Sequence, residues 1–206
     1  VMIIMHDKTI DRTTTGKGAV AEMTYAELRQ VFLLHDGKPT LEKIPTFKEV
    51  LELLKGKVML DIDYKAEGKR AARSTARLLR KTKMERQSLF FLYDYRDAPA
   101  LRRMNKKIQF MMRAYNREDV DGIFNQGIEV PVIHADAKFY SDSLMGVIRG
   151  KGIRLWMNAL GKYDTMEKTE TNSGFDALLQ MRHTNIIQTD LYKELMDYLK
   201  VRGLHR

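Results

Sequence analysis

Short apolar runs rich in Val, Ile, Leu and Phe alternate along the chain with stretches whose apolar positions recur every three or four residues. The first pattern suits buried strands and the second amphipathic helices. Repeated strand-then-helix units predict an α/β fold with a mostly parallel sheet. Strands are expected at 1–5, 58–64, 88–93, 107–113, 130–134, 154–158 and 185–189. Thr24 with Glu27, and Thr46 with Glu49 directly after Pro45, fit capping boxes, so helices should start there and run to about residues 31 and 54. Ala72, Thr75, Ala76 and Leu79 fall at helical spacing and predict a crossover helix over 69–81. Weaker helical patterns cover 98–104, 117–125, 141–149, 175–181 and 191–201.

This succession suits an open doubly wound sheet or a (β/α)8 barrel. A barrel takes roughly 250 residues, and this chain has 206. With 44% apolar residues and no polar linker, it reads as one domain over 1–206. There is no internal repeat, no apolar run long enough to span a bilayer and no secretory signal pattern, while the start on Val1 leaves the compartment undetermined. The absence of cysteine excludes disulfides, thiolate metal sites and cysteine nucleophiles, so any metal must sit on oxygen or imidazole. A net charge of +9 would attract phosphates, anionic headgroups or nucleic acid, but basic and acidic residues are interspersed as on ordinary solvated helices, and no nucleic acid partner is expected.

The candidate chemistry is concentrated in His6-Asp7-Lys8-Thr9-Ile10-Asp11-Arg12-Thr13-Thr14-Thr15-Gly16-Lys17-Gly18, which follows an apolar run. A histidine at a strand end, before a polar glycine-containing loop, is where a barrel enzyme keeps an acid or base. The run resembles the HD-x-T-x-x-RTT-x-G-x-G signature of the glycerophosphodiester phosphodiesterase family. Ile44-Pro45-Thr46 is similar to that family's I-P-T segment, and Asp61-Ile62-Asp63-Tyr64-Lys65 to its E-x-K strand, with aspartate in place of glutamate. Leu155-Trp156-Met157-Asn158 is similar to its W-T-V-N strand, and Ile187-Gln188-Thr189-Asp190 to its final I-x-T-D.

The resemblance implies a (β/α)8 barrel of the phospholipase C-like type that hydrolyses glycerophosphodiesters to glycerol 3-phosphate and an alcohol, placing the protein in glycerol and lipid metabolism. It also implies a divalent cation, Mg2+ or Ca2+. His6 would act as general acid or base, Asp63 as a metal ligand and Lys65 as a phosphate contact, while Arg12 would touch phosphate or, as arginines in such loops more often do, brace the loop itself. Trp156 would wall the glycerol pocket or serve as a core aromatic. His134, beside Asp136 at another strand end, is a spare candidate for the same mouth, whereas His35, His183 and His205 look like surface residues. The small-molecule glycerophosphodiester is the expected partner, and neither the substrate alcohol nor the oligomeric state is set by the sequence.

The family pattern opens with an H-R-G strand, an E-N-T segment and an E-x-D strand, none of which occurs in this sequence. The expectation is therefore a barrel without its first strand-helix-strand portion. Two readings from other classes stand beside it: an inactive barrel that binds glycerophosphodiesters or phospholipid headgroups, and a basic module for anionic membranes or nucleic acid.

Overall fold

A computed structural model describes residues 1–65 and 69–205. It divides into two compact units, Val1–Met59 with Glu67–Gln87, and Leu60–Ala66 with Ser88–Arg206.

In the first unit, α1 (Tyr25–Leu28) and α2 (Phe47–Leu54) each begin at a complete capping box, on Thr24 with Glu27 and on Thr46 with Glu49. Helix α1 stops after four residues, short of the expected end at 31, and is followed by a hairpin that the apolar pattern did not single out. That hairpin pairs β1 (Phe32–His35) with β2 (Lys38–Lys43) antiparallel. Its turn is Asp36-Gly37, both at positive φ, the backbone that a tight two-residue hairpin requires. The expected strand over 1–5 is not a ladder; Ile3 makes one isolated antiparallel bridge to Thr46, flanked by bonds from Ile4 N to Pro45 O and from Phe47 N to Met2 O. Ile10, Leu28 and Ile44 form this unit's core, with Ile3, Met5, Val20, Met23, Val31 and Leu33 packed around them. Helix α3 (Lys69–Thr82) buries Thr75, Ala76 and Leu79 as its spacing predicts.

In the second unit, six strands form one parallel sheet: β3 (Leu60–Asp63), β4 (Ser88–Leu92), β5 (Gln109–Ala114), β6 (Val132–Ala135), β7 (Arg154–Asn158) and β8 (Ile186–Gln188). They lie side by side in chain order. A doubly wound sheet reverses strand order at a switch point; sequential order all the way across is how barrel strands follow one another. Helices α4 (Ala98–Met104), α5 (Arg117–Asn125), α6 (Asp142–Gly150), α7 (Lys162–Thr169), α8 (Ser173–Leu179) and α9 (Tyr192–Val201) complete the unit. Of these, α7 has no counterpart among the expected helices.

The register aligns side chains in rows, because alternate residues of a strand share a face. Phe90, Phe110, Met112, Ile133, Leu155 and Met157 on one face are essentially inaccessible. On the other, Phe91, Met111 and Val132 pack with Leu89, Trp156 and Ile186 into an apolar floor. Beyond that floor, toward the C-terminal ends of the strands, the same face turns polar. Among the described residues no helix is long and apolar enough to cross a membrane.

Candidate active site

The loop from His6 to Gly18 is organised by its own short polar side chains. Thr14 Oγ1 donates to Ile10 O and accepts from Gly16 N, Asp11 Oδ1 accepts from Gly18 N, and Ile10 N donates to Gly18 O. Thr15 and Leu34 tie the loop to the hairpin, through Thr15 N to Phe32 O and Leu34 N to Thr13 O. Gly16 must lack a side chain, because a Cβ there would lie 2.5 Å from Val31 Cγ1 and 2.8 Å from Ile10 Cδ1. The threonines and glycines of the signature thus set the loop's shape, which leaves His6, Asp7 and Arg12 for chemistry.

These three are connected. His6 Nδ1 lies 2.6 Å from Asp7 Oδ1, and Arg12 grips the same carboxylate with Nε at 2.6 Å and Nη2 at 3.0 Å. Hydrogen bonds from Arg12 and then from His6 hold the Asp7 carboxyl well below the usual carboxylate range. An ionised carboxylate accepts only, so Nδ1 carries the proton in this pair and a neutral His6 has its Nε2 lone pair bare. The His6 side chain is 74% exposed. Of the two roles open to Arg12, a phosphate contact or a brace within its own loop, the contact with Asp7 is the second.

In the second unit the polar mouth begins on β3. Asp61 and Asp63 face the same way, and Asp63 receives Lys65 Nζ at 2.6 Å and the Tyr93 hydroxyl at 2.9 Å. Asp63 and Lys65 are therefore brought together. Desolvation, and then the charge of Asp63, push Asp61 up to about 6.

Further across, Arg113 is paired with Asp136 at 2.9 Å, its side chain 15% exposed, and is stacked over the Tyr115 ring. Trp156 Nε1 donates to Gln188 Oε1 at 3.2 Å. Between Arg113 and Trp156 in the register lies His134, 6% exposed, with ring contacts to Phe91 at 5.6 Å and Trp156 at 6.1 Å. Its Nε2 has no hydrogen-bond partner. Burial, and then Arg113, lower its pKa to about 3, so the ring is neutral. Arg113, Tyr93 and Gln188 were missed by the sequence reading. Strand alternation would have found Arg113 and Tyr93 on the face that carries Asp61 and Asp63, had the strand register been known. Of the remaining histidines, His35 is exposed, while His183 is half-buried over Gly146 rather than on the surface.

Two carboxylates on one strand are a partial metal shell. Among the described residues no group of three histidine, aspartate or glutamate side chains could hold an ion. Magnesium is commonly held by one or two carboxylates, with waters and substrate phosphate completing its shell, and Asp61 with Asp63 fits that smaller role. A cation there would replace Lys65 on one Asp63 oxygen. A hollow of about 200 Å³ opens beside this mouth, lined by Tyr93, Arg96, Arg113 and Tyr115 among others. A larger one of about 430 Å³ runs along α7 and α9 past Glu167, Leu191, Tyr198 and Arg202, away from these strand ends.

Residues 1–124 match the model of the glycerophosphoryl diester phosphodiesterase family. Over 96 residues, 44% of this chain, the sequence is 32% identical to human glycerophosphodiester phosphodiesterase 1. Over 68 residues, 32% of the chain, it is 35% identical to the glycerophosphodiester phosphodiesterase of Caldanaerobacter subterraneus. Each match spans 28% of the relative's length. A crystal structure of a glycerophosphoryl diester phosphodiesterase from Parabacteroides distasonis superposes on 97% of this chain and 71% of its own, with a TM-score of 0.82 at 22% identity. An Oleispira antarctica phosphodiesterase in complex with the product sn-glycerol-3-phosphate superposes on 90% of this chain and 74% of its own, with a TM-score of 0.65 at 16% identity. These structural likenesses concern the fold. The family match covers more than half the chain and contains both the His6 loop and the Asp63 strand, and on that ground the chain belongs to the glycerophosphoryl diester phosphodiesterase family.

Proposed function

We propose that this protein hydrolyses glycerophosphodiesters to glycerol 3-phosphate and an alcohol, and that its six strands are a section of a (β/α)8 barrel. The observation that carries the reading is the His6–Asp7–Arg12 chain on the family's signature loop. Asp7 holds His6 with Nε2 free, ready to take the proton of the substrate's glycerol hydroxyl as it attacks phosphorus and to return that proton to the leaving alcohol; water then opens the cyclic phosphate so formed to glycerol 3-phosphate. Asp7 stays ionised throughout and stabilises the charged ring. Arg12 fixes Asp7, and we assign its remaining N–H groups to a phosphate oxygen.

On β3, Lys65 is assigned to the developing charge on phosphate oxygens, and Trp156, fixed by Gln188, to the glycerol wall. A divalent cation, Mg2+ or Ca2+, is proposed on Asp63 with Asp61 as neighbour, where it would supply positive charge to the phosphoryl group. The product bound to the Oleispira antarctica relative supports the ligand class.

The test is glycerol 3-phosphate release from glycerophosphocholine with added magnesium or calcium, comparing the protein with His6→Ala and Lys65→Met. Activity that both substitutions reduce at least a hundredfold supports the assignment. A folded protein inert with every cation and glycerophosphodiester overturns it in favour of a barrel that only binds such headgroups.

A further inference from the structure

The interspersed charge expected along the chain has one exception. Residues 67–87 hold eight basic and two acidic side chains, so a tenth of the chain carries six of the nine net positive charges. The structure places most of this charge on α3. At 100° per residue, Arg70, Arg73, Arg77, Arg80 and Lys81 fall within one arc of about 100°, a row about 16 Å long, and all five are exposed. The opposite side is Thr75, Ala76 and Leu79, which are buried. Residues 69–82 contain no acidic residue, and among the described residues Arg70, Arg73, Arg77 and Lys81 pair with no carboxylate. Arg70, Arg73, Arg77 and Lys81, held side by side with no carboxylate partner among the described residues, repel one another, and an external anion would relieve that repulsion.

We propose that the exposed arginine row of α3 docks the protein onto an anionic lipid surface. A row of cations matches an array of phosphates. Duplex or single-stranded nucleic acid would also supply phosphates. However, 69–82 contains no aromatic side chain on which a base could stack and no Asn or Gln to read a base edge. The choice of lipid rests on the glycerophosphodiester reading above, since that substrate is the headgroup portion of a phospholipid. Because the apolar side of α3 is buried, the helix has none to insert, and the attraction is electrostatic alone. It should therefore vanish with salt.

The measurement is co-sedimentation of the intact protein with phosphatidylcholine vesicles, with and without about a third phosphatidylserine, alongside the Arg70→Gln/Arg73→Gln/Arg77→Gln variant. A control carries Lys106→Gln/Lys107→Gln/Lys151→Gln, three lysines outside the row. We expect binding only with phosphatidylserine, lost in half-molar salt, weakened at least tenfold in the arginine variant and unchanged in the control. Circular dichroism establishes that the variant is folded, and if it is not, the single Arg73→Gln and Arg77→Gln forms replace it, each expected to weaken binding several-fold. Equal binding by wild type and folded variant, binding to neutral vesicles, or tighter binding to duplex DNA than to phosphatidylserine vesicles overturns the proposal. Vesicle binding needs no turnover, so failed hydrolysis with intact docking sinks only the activity.

Discussion

Acid should destabilise the β-sheet unit through His134, by an amount that can be worked out. The ring is buried between Phe91 and Trp156, its Nε2 has no partner, and the charge of Arg113 outweighs that of Asp136. Its pKa falls from 6.5 to about 3 in the folded protein. Between those values the unfolded chain binds a proton that the native state refuses, so stability is full above about 6.5 and is lost as pH falls. Integrating that proton difference from about pH 7.5 to about pH 4.5 gives a loss of about 2.7 kcal/mol. The figure barely changes if the native pKa lies a unit higher, because at that pH the native ring remains mostly neutral. Replacing His134 with Phe removes both the titrating group and the orphaned nitrogen while keeping an aromatic ring against Trp156. Urea unfolding followed by far-ultraviolet circular dichroism, and by emission from the single tryptophan, should show the variant losing about 2 to 3 kcal/mol less than wild type over that pH range. A difference under about 1 kcal/mol would mean that the native ring accepts a proton freely, and the argument from burial would fail.

Three further outcomes follow from the geometry. Gly16→Ala drives a methyl group into Val31 and Ile10 and should cost about 1–3 kcal/mol, with activity falling as the loop shifts; a fully stable variant in thermal melts would refute the fit. Thr46→Ala removes the hydroxyl that accepts from Glu49 N and donates to the Glu49 carboxylate at the start of α2, a loss of about 1 kcal/mol that a denaturation midpoint will register. Asp7→Asn leaves the loop's shape but takes the fixed negative charge from beside His6, so kcat should drop about 10²-fold or more with little change in KM, and an unaltered kcat would remove Asp7 from the mechanism.

Much of this was written locally. Both capping boxes, the strand at 154–158 and the span of α3 follow from patterns within a few residues of themselves. Asp61 and Asp63 share a face because strands alternate, whatever their neighbours. The signature loop was legible as a motif, and its Thr and Gly positions are now explained by bonds inside the loop, by bonds to the hairpin and by the close approach of Val31. Other features depend on partners far away in the chain. Residues 1–5 look like a strand, yet form only one bridge, since extended backbone becomes a ladder only where a neighbour accepts it. Asp36-Gly37 was a hairpin signal, but the apolar pattern around it was too weak to be read alone.

Sequence by itself determined the α/β class, the two capped helix starts, the family and the residues of the signature loop, because each rests on periodicity, capping or a contiguous motif. Only the tertiary structure decided that Tyr93 joins Asp63 and that His134 is sealed between Arg113 and Trp156. Strand register and burial set those contacts, and both arise from chain segments tens of residues apart coming to lie side by side.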